Sequence, residues 1–152
     1  MKRKGKGRTR TKSLAALKKT AWKLLSEIVR RTSADQWGAV DCYTCGSRYR
    51  WSSGITGMNA GHAIPGRSGA VLLDEGIIRP QCNKCNAKPP FGRGGEYHIF
   101  AAKLIKENGM EWWEHKLSES RHIKKWSRVE LEEKIQSYRD RLKALEVMEA
   151  LP

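Results

Sequence analysis

Four cysteines, arranged as Cys42-Tyr-Thr-Cys45 and Cys82-Asn-Lys-Cys85, constrain this chain more than any other feature. They are its only cysteines, and 36 residues separate the two pairs. Each CxxC turn brings two thiolates onto one knuckle, and two knuckles complete a tetrahedron around zinc. Free thiols, a redox pair and disulfides are the other fates open to such residues. The N-terminus is basic and lacks the apolar core of a secretory leader, so nothing points to an oxidising compartment. Zinc held by Cys42, Cys45, Cys82 and Cys85 is therefore the expectation. Four thiolates leave no open coordination position, which makes the ion structural, not catalytic.

A chain of 152 residues with 39% apolar content is one compact domain with a modest core. Such a core, set among glycine-rich loops, gains most from a metal staple. No apolar run approaches the roughly 20 residues of a membrane span. The formal charge of +14 is unevenly spread: residues 1–31 carry twelve Lys/Arg against the single acid Glu27. Charge gathered at one end reads as a polyanion contact, most simply nucleic acid, with a solubilising tail as the bland alternative.

Residues 1–12 lack apolar periodicity and are expected to be a disordered basic tail. Over 13–37 the pattern turns helical from Ser13, an N-cap, with Leu14, Leu17, Ala21, Leu24, Leu25 and Ile28 on one stripe. Lys18, Lys19 and Lys23 lie largely outside it and are candidate DNA contacts, with the helix ending near Arg31. Residues 39–64 read as short strands around the first knuckle, with Tyr49, Trp51 and Ile55 among polar residues. A second helix is expected from near Gly95 to Gly109, closing a core that spans 38–109. The stretch 110–152 reads as a helical extension: a Trp-rich helix, then a helix launched by the capping box Ser127-Arg-Val-Glu130. Leu131, Ile135, Tyr138, Leu142 and Leu145 form a short heptad seam there, open to packing on its own chain or to pairing in a dimer.

His62 sits between the knuckles in a Gly-His-x-x-Pro turn, on a chain loaded to meet phosphates. A lone histidine favours a core or surface role, but this setting makes it the candidate general base. A ββα-metal nuclease (His-Me finger, or HNH) uses a strand-borne imidazole to activate water beside an oxygen-ligated divalent cation. Asn86, directly after the last cysteine, is expected to begin the helical limb and offer its carbonyl to that cation. Asp74 and Glu96 are the nearest carboxylates that would complete the site, though each is as easily a turn residue or a helix-terminal acid. Arg67, Lys84, Lys88 and Arg93 surround the site in sequence as candidate phosphate contacts. His98, His115 and His122 fall on expected helices and read as solvent-facing. Trp51, Trp112 and Trp113 are candidates for stacking on an unpaired base, with core packing the simpler role.

Taken together, the basic leader, Leu-Lys-Lys…Trp-Lys-Leu, CxTCG, AGHAIPGR and PQCNKCN resemble the NinG (Rap) recombination endonucleases of lambdoid phages nearly from end to end. The Cys-Asn-x-Cys-Asn and the central histidine also resemble endonuclease VII. The resemblance implies an α+β fold, a zinc-stapled ββα-metal core flanked by N- and C-terminal helices. It further implies Mg- or Mn-dependent cleavage of branched DNA: Holliday junctions, D-loops and flaps. Symmetric cutting of a four-way junction implies a homodimer, acting in the host cytoplasm if the chain is phage-encoded. Three positions depart from the superfamily pattern: Gly61 where an aspartate often precedes the histidine, Ile77 where an asparagine is often found, and Gly92-Arg93 in place of Gly-Asn. The rival readings are a non-catalytic zinc DNA-binding module and an HNH nuclease that reads sequence.

Overall fold

The computed structural model describes residues 11–52, 57–66 and 69–150. Residues 1–10, Ile55 and Arg67, with the disordered leader, strand position and phosphate contact expected of them, lie outside these described residues.

Helix α1 runs Leu14–Thr32, with the Ser13 hydroxyl accepting from the Ala16 amide at 3.2 Å. Of the expected stripe, Leu17, Ala21, Leu25 and Ile28 are buried at four- and three-residue spacing and Leu24 is half-buried, whereas Leu14, in the first turn, is exposed. The long helix α5, Arg128–Glu149, starts at the capping box, with both reciprocal bonds between Ser127 and Glu130 present. Its seam residues Leu131, Ile135, Tyr138 and Leu142 pack with the α1 stripe in one core. The seam is thus buried within the chain, because α1 offers a complementary apolar face of similar length. A dimer would have to use another surface.

Arg31 locks the far ends of these helices together. Its guanidinium, buried against Trp51, takes Glu149 in a two-pronged contact (2.7 and 3.1 Å) and reaches Glu27 at 3.2 Å. The Glu149 hydrogen bonds outweigh burial and hold its pKa above the usual guanidinium value.

Two antiparallel hairpins lie beside the helices. Strands β1 (Ala39–Asp41) and β2 (Arg48–Arg50) flank the first knuckle. Strands β3 (Met58–His62) and β4 (Ile78–Cys82) pair from Met58 opposite Cys82 to His62 opposite Ile78. Between β3 and β4, Val71 and Leu73 enter the core, and Asp74 caps a 3-10 turn over Glu75–Ile77. Ile77 is fully buried, so core packing occupies this position.

The second knuckle runs directly into α2, Asn83–Asn86, a single turn. Asn86 therefore ends this helix instead of beginning one, since the Pro89-Pro90 stretch that follows cannot continue it. Glycines then turn the chain, and Glu96 adopts a left-handed conformation (φ 50°), which delays α3 to Tyr97–Asn108. Gly109, at φ 92°, joins α3 directly to α4, Met110–Ser120. Trp113 on α4 is buried in the main core, so it is a packing residue and not a stacking platform; Trp112 is half-buried against the same core. The result is a mixed α+β fold with a large helical core and a second, small core of Val40, Cys42, Met58, Cys82 and Cys85.

Candidate metal centre and adjoining cleft

The two knuckles meet because the chain between them folds back as β3 and β4. The first knuckle is closed by Gly46, whose positive φ lets its amide reach the Cys42 carbonyl at 2.8 Å. The Tyr43 amide then donates to the Pro80 carbonyl at 2.9 Å, docking this knuckle on β4. All four sulfurs lie within 4.8 Å of one another, and Cys45 Sγ is 3.8 Å from Cys82 Sγ.

Those spacings separate a metal-binding cluster from a pair of disulfides. A disulfide needs about 2.05 Å between sulfurs. A tetrahedron with Zn–S bonds of about 2.3 Å has edges of about 3.8 Å. The cluster fits zinc. Burial pushes the Cys82 thiol up to about 12, whereas at Cys45 burial is overcome by hydrogen bonds led by Ser47, which bring the thiol down to about 6. Four adjacent thiols do not ionise together unless a cation compensates them.

His62 is the last residue of β3 and is 8% exposed. Its ring stacks on Trp22 of α1, with centroids 4.6 Å apart and planes at 25°. Nε2 lies 3.2 Å from the Leu72 carbonyl oxygen. A carbonyl can only accept, so Nε2 is the donor in this contact. Stack and hydrogen bond together orient the imidazole.

His62 borders a cleft of about 540 Å³ that is also lined by Asn86, Lys88, Gly94, Gly95 and Tyr97. The knuckle sets one wall of this cleft. The amides of Arg93, Gly94 and Gly95 donate to the carbonyls of Lys84, Ala87 and Cys85 at 2.7–2.8 Å, occupying acceptors of α2 that a one-turn helix leaves open. Gly92 has to be glycine, since a Cβ would stand 2.5 Å from the Ala87 oxygen.

The structure brings together His62, Asn86 and Lys88, and places Glu96 between two cleft-lining residues. Glu96 is 3.4 Å from Arg93, an ion pair on the cleft's edge. Asp74 lies elsewhere: it caps the Gly76 amide and pairs with Lys116, both at 3.0 Å, and is not among the cleft residues. Lys84 and Arg93 are exposed beside the cleft, whereas Lys19 and Lys23 are exposed on α1 and Lys18 is half-buried there. Lys19 and Lys23 share a shallow groove with Trp22, Arg30 and Trp51. His98 and His115 are exposed, as is His122.

Sequence reasoning missed Trp22 as the residue against His62. Its place next to Ala21, at the margin of the buried stripe, was the only signal, and periodicity does not say what a marginal residue meets. The surroundings of Gly61 hold that position to glycine. A Cβ there would stand 2.4 Å from Gln81 Oε1, and Gln81 is fully buried with its amide nitrogen held by Thr44 (3.2 Å) and the Gly95 carbonyl (2.7 Å). An aspartate has no room at that position.

A family model described as Bacteriophage Lambda NinG protein matches residues 2–149. No curated protein and no solved structure matches the chain. No helix among the described residues is long and apolar enough to cross a membrane.

Proposed function

The chain belongs to the bacteriophage lambda NinG family, and from that premise we propose that it is a structure-specific DNA endonuclease. Its substrates are branched recombination intermediates (Holliday junctions, D-loops and flaps), hydrolysed with the help of a divalent cation. The observation that supports this most is the clamped imidazole of His62 on the wall of a cleft that also presents Asn86 and Lys88.

In this reading the His62 imidazole, anchored through Nε2 on the Leu72 carbonyl, takes the proton from a water attacking the scissile phosphorus. Trp22 keeps the ring in place through that transfer. Asn86 is the side-chain oxygen of the cleft that would hold magnesium or manganese, which when bound supplies charge stabilisation for the phosphorane and the departing oxygen. No Asp or Glu lines the cleft among the described residues, so water and substrate phosphate would complete the shell of such an ion. The zinc centre positions β4 and α2 and takes no part in the chemistry. Lys84, Lys88 and Arg93 near the cleft, with Lys19 and Lys23 on α1, contact backbone phosphates, which gives affinity without sequence reading. A homodimer supplies the second active site for symmetric cutting.

The lack of a cleft carboxylate favours one rival, a zinc-stapled module that binds DNA without cutting it. Incubating wild type and His62→Ala with four-way junction, flap and linear duplex, with magnesium, manganese or no added divalent ion, separates the two. The nuclease cuts only with metal, and the variant loses about 10²- to 10⁴-fold in rate while still binding junctions. No metal-dependent cleavage by wild type, or an unimpaired variant, refutes the assignment. Competition by linear duplexes of varied sequence exposes a sequence-reading enzyme.

A further inference from the structure

Phe91 is 87% exposed, an unusual place for a phenyl ring that nothing among the described residues covers. Its loop springs from the cleft itself, since Lys88 at one end and Gly94 at the other both line it. The loop is also firmly built. The amides of Phe91 and Gly92 donate to the Lys88 carbonyl at 3.0 and 3.1 Å, and those of Arg93 and Gly94 close it on Lys84 and Ala87 at 2.8 Å. The ring thus stands at the apex of a short, pinned projection, with Lys88 and Arg93 on either side and Lys84 at its base.

We propose that Phe91 is a wedge that stacks against an unpaired or unstacked base at a DNA branch point, beside the cleft that holds His62. The proposal rests on the reading of that cleft as a nuclease site and names what presents the branch to it. The chemistry fits a nucleobase better than a protein partner: an aromatic face offers stacking to any base, and the flanking cations match the phosphates on either side of it. A pinned loop has little entropy left to lose when the ring is covered. Linear duplex, whose bases are already stacked, gives the ring nothing to meet, so the wedge selects branch points without reading sequence.

The test uses the full chain without added divalent ion, so that binding is separated from cutting. A four-way junction carries 2-aminopurine either at the branch point or within an arm. Wild type is expected to change the branch-point fluorescence and leave the arm probe unaltered. Phe91→Ala is expected to lose that response and to bind the junction about 5-fold or more weaker, the low end of one base–aromatic stack. Its affinity for linear duplex and its zinc content are unchanged, and Phe91→Trp retains the response. Equal junction affinity and equal fluorescence for Phe91→Ala overturn the wedge. So does a loss of dimer by sedimentation in that variant, which would make Phe91 a contact between copies. If wild type fails to cleave with magnesium or manganese yet shows the Phe91-dependent signal, the nuclease reading falls and the wedge stands.

Discussion

Removing the zinc proposed for the four-cysteine cluster should unfold one part of this protein and spare another. The lobe from Gly38 to Trp51 carries the first knuckle, and its fully buried apolar side chains are few: Val40 at 2% exposure, packed on Met58 at 0%. Burying two such side chains contributes about 3–6 kcal/mol. Ordering the backbone over those residues costs about 1–2 kcal/mol each. The shortfall is roughly 8–25 kcal/mol, a range that contains the about 10–16 kcal/mol that a structural zinc supplies at neutral pH. The α1–α5 core has its own stripes, none of them sulfur-bearing. Hydrogen exchange read by mass spectrometry, with and without a zinc chelator, is the assay, and one zinc per chain is the starting stoichiometry. Amides of β1, β2, α2 and the 87–95 loop should lose protection at chelator concentrations that leave α1 and α5 protected and the helical circular dichroism largely intact. Cleavage should vanish together with the lobe, because Asn86 and the cleft wall hang from the second knuckle. Persistent protection over 38–51 after zinc is gone, or simultaneous loss of α1 and α5, refutes the reasoning.

Three further outcomes follow from single contacts. Trp22→Ala should lower the cleavage rate about 10- to 100-fold by releasing the His62 ring, with junction affinity unchanged and Trp22→Phe restoring most of the rate; equal single-turnover rates for all three proteins would remove Trp22 from the mechanism. Gly61→Ala should destabilise the fold by about 1–3 kcal/mol through overpacking against Gln81, and Gly61→Ala combined with Gln81→Ala should recover part of the loss in urea unfolding. Ser127→Ala should cost about 0.5–2 kcal/mol at the start of α5, seen as a lower melting temperature. Its partner Glu130 is held down to about 2, chiefly by Lys124 and then by the Ser127 amide. A depressed carboxylate contributes only while ionised, so its share is present above the ordinary Glu range of about 4.3 and lost as pH falls toward 2. The melting-temperature difference between wild type and Glu130→Gln should therefore shrink over that acid window.

Much of the fold was legible as one-dimensional pattern. The stripe of α1, the capping box of α5 and the Gly109 break are local signals, each set by a helix's own geometry and its unsatisfied end groups. The partner of the α5 seam was not legible, because a heptad face fits any complementary stripe and only the folded chain shows that α1 provides it. Glu96 and Asp74 were carboxylates at plausible distances along the chain, yet one pairs with Arg93 on the cleft edge and the other caps a turn beside Lys116. Chain distance carries no information about which charge a side chain meets.

By itself the sequence determined that four thiolates would meet, since two CxxC turns have few other ways to satisfy their chemistry, and that a histidine lay inside the loop they close. Only the tertiary structure decided that Trp22 stacks on that histidine, that the Leu72 carbonyl anchors its Nε2 and that Gln81 fills the space beside Gly61. Metal ligands are specified by spacing along the chain, whereas an imidazole is oriented by whatever packs around it. Packing partners come from segments far apart in sequence.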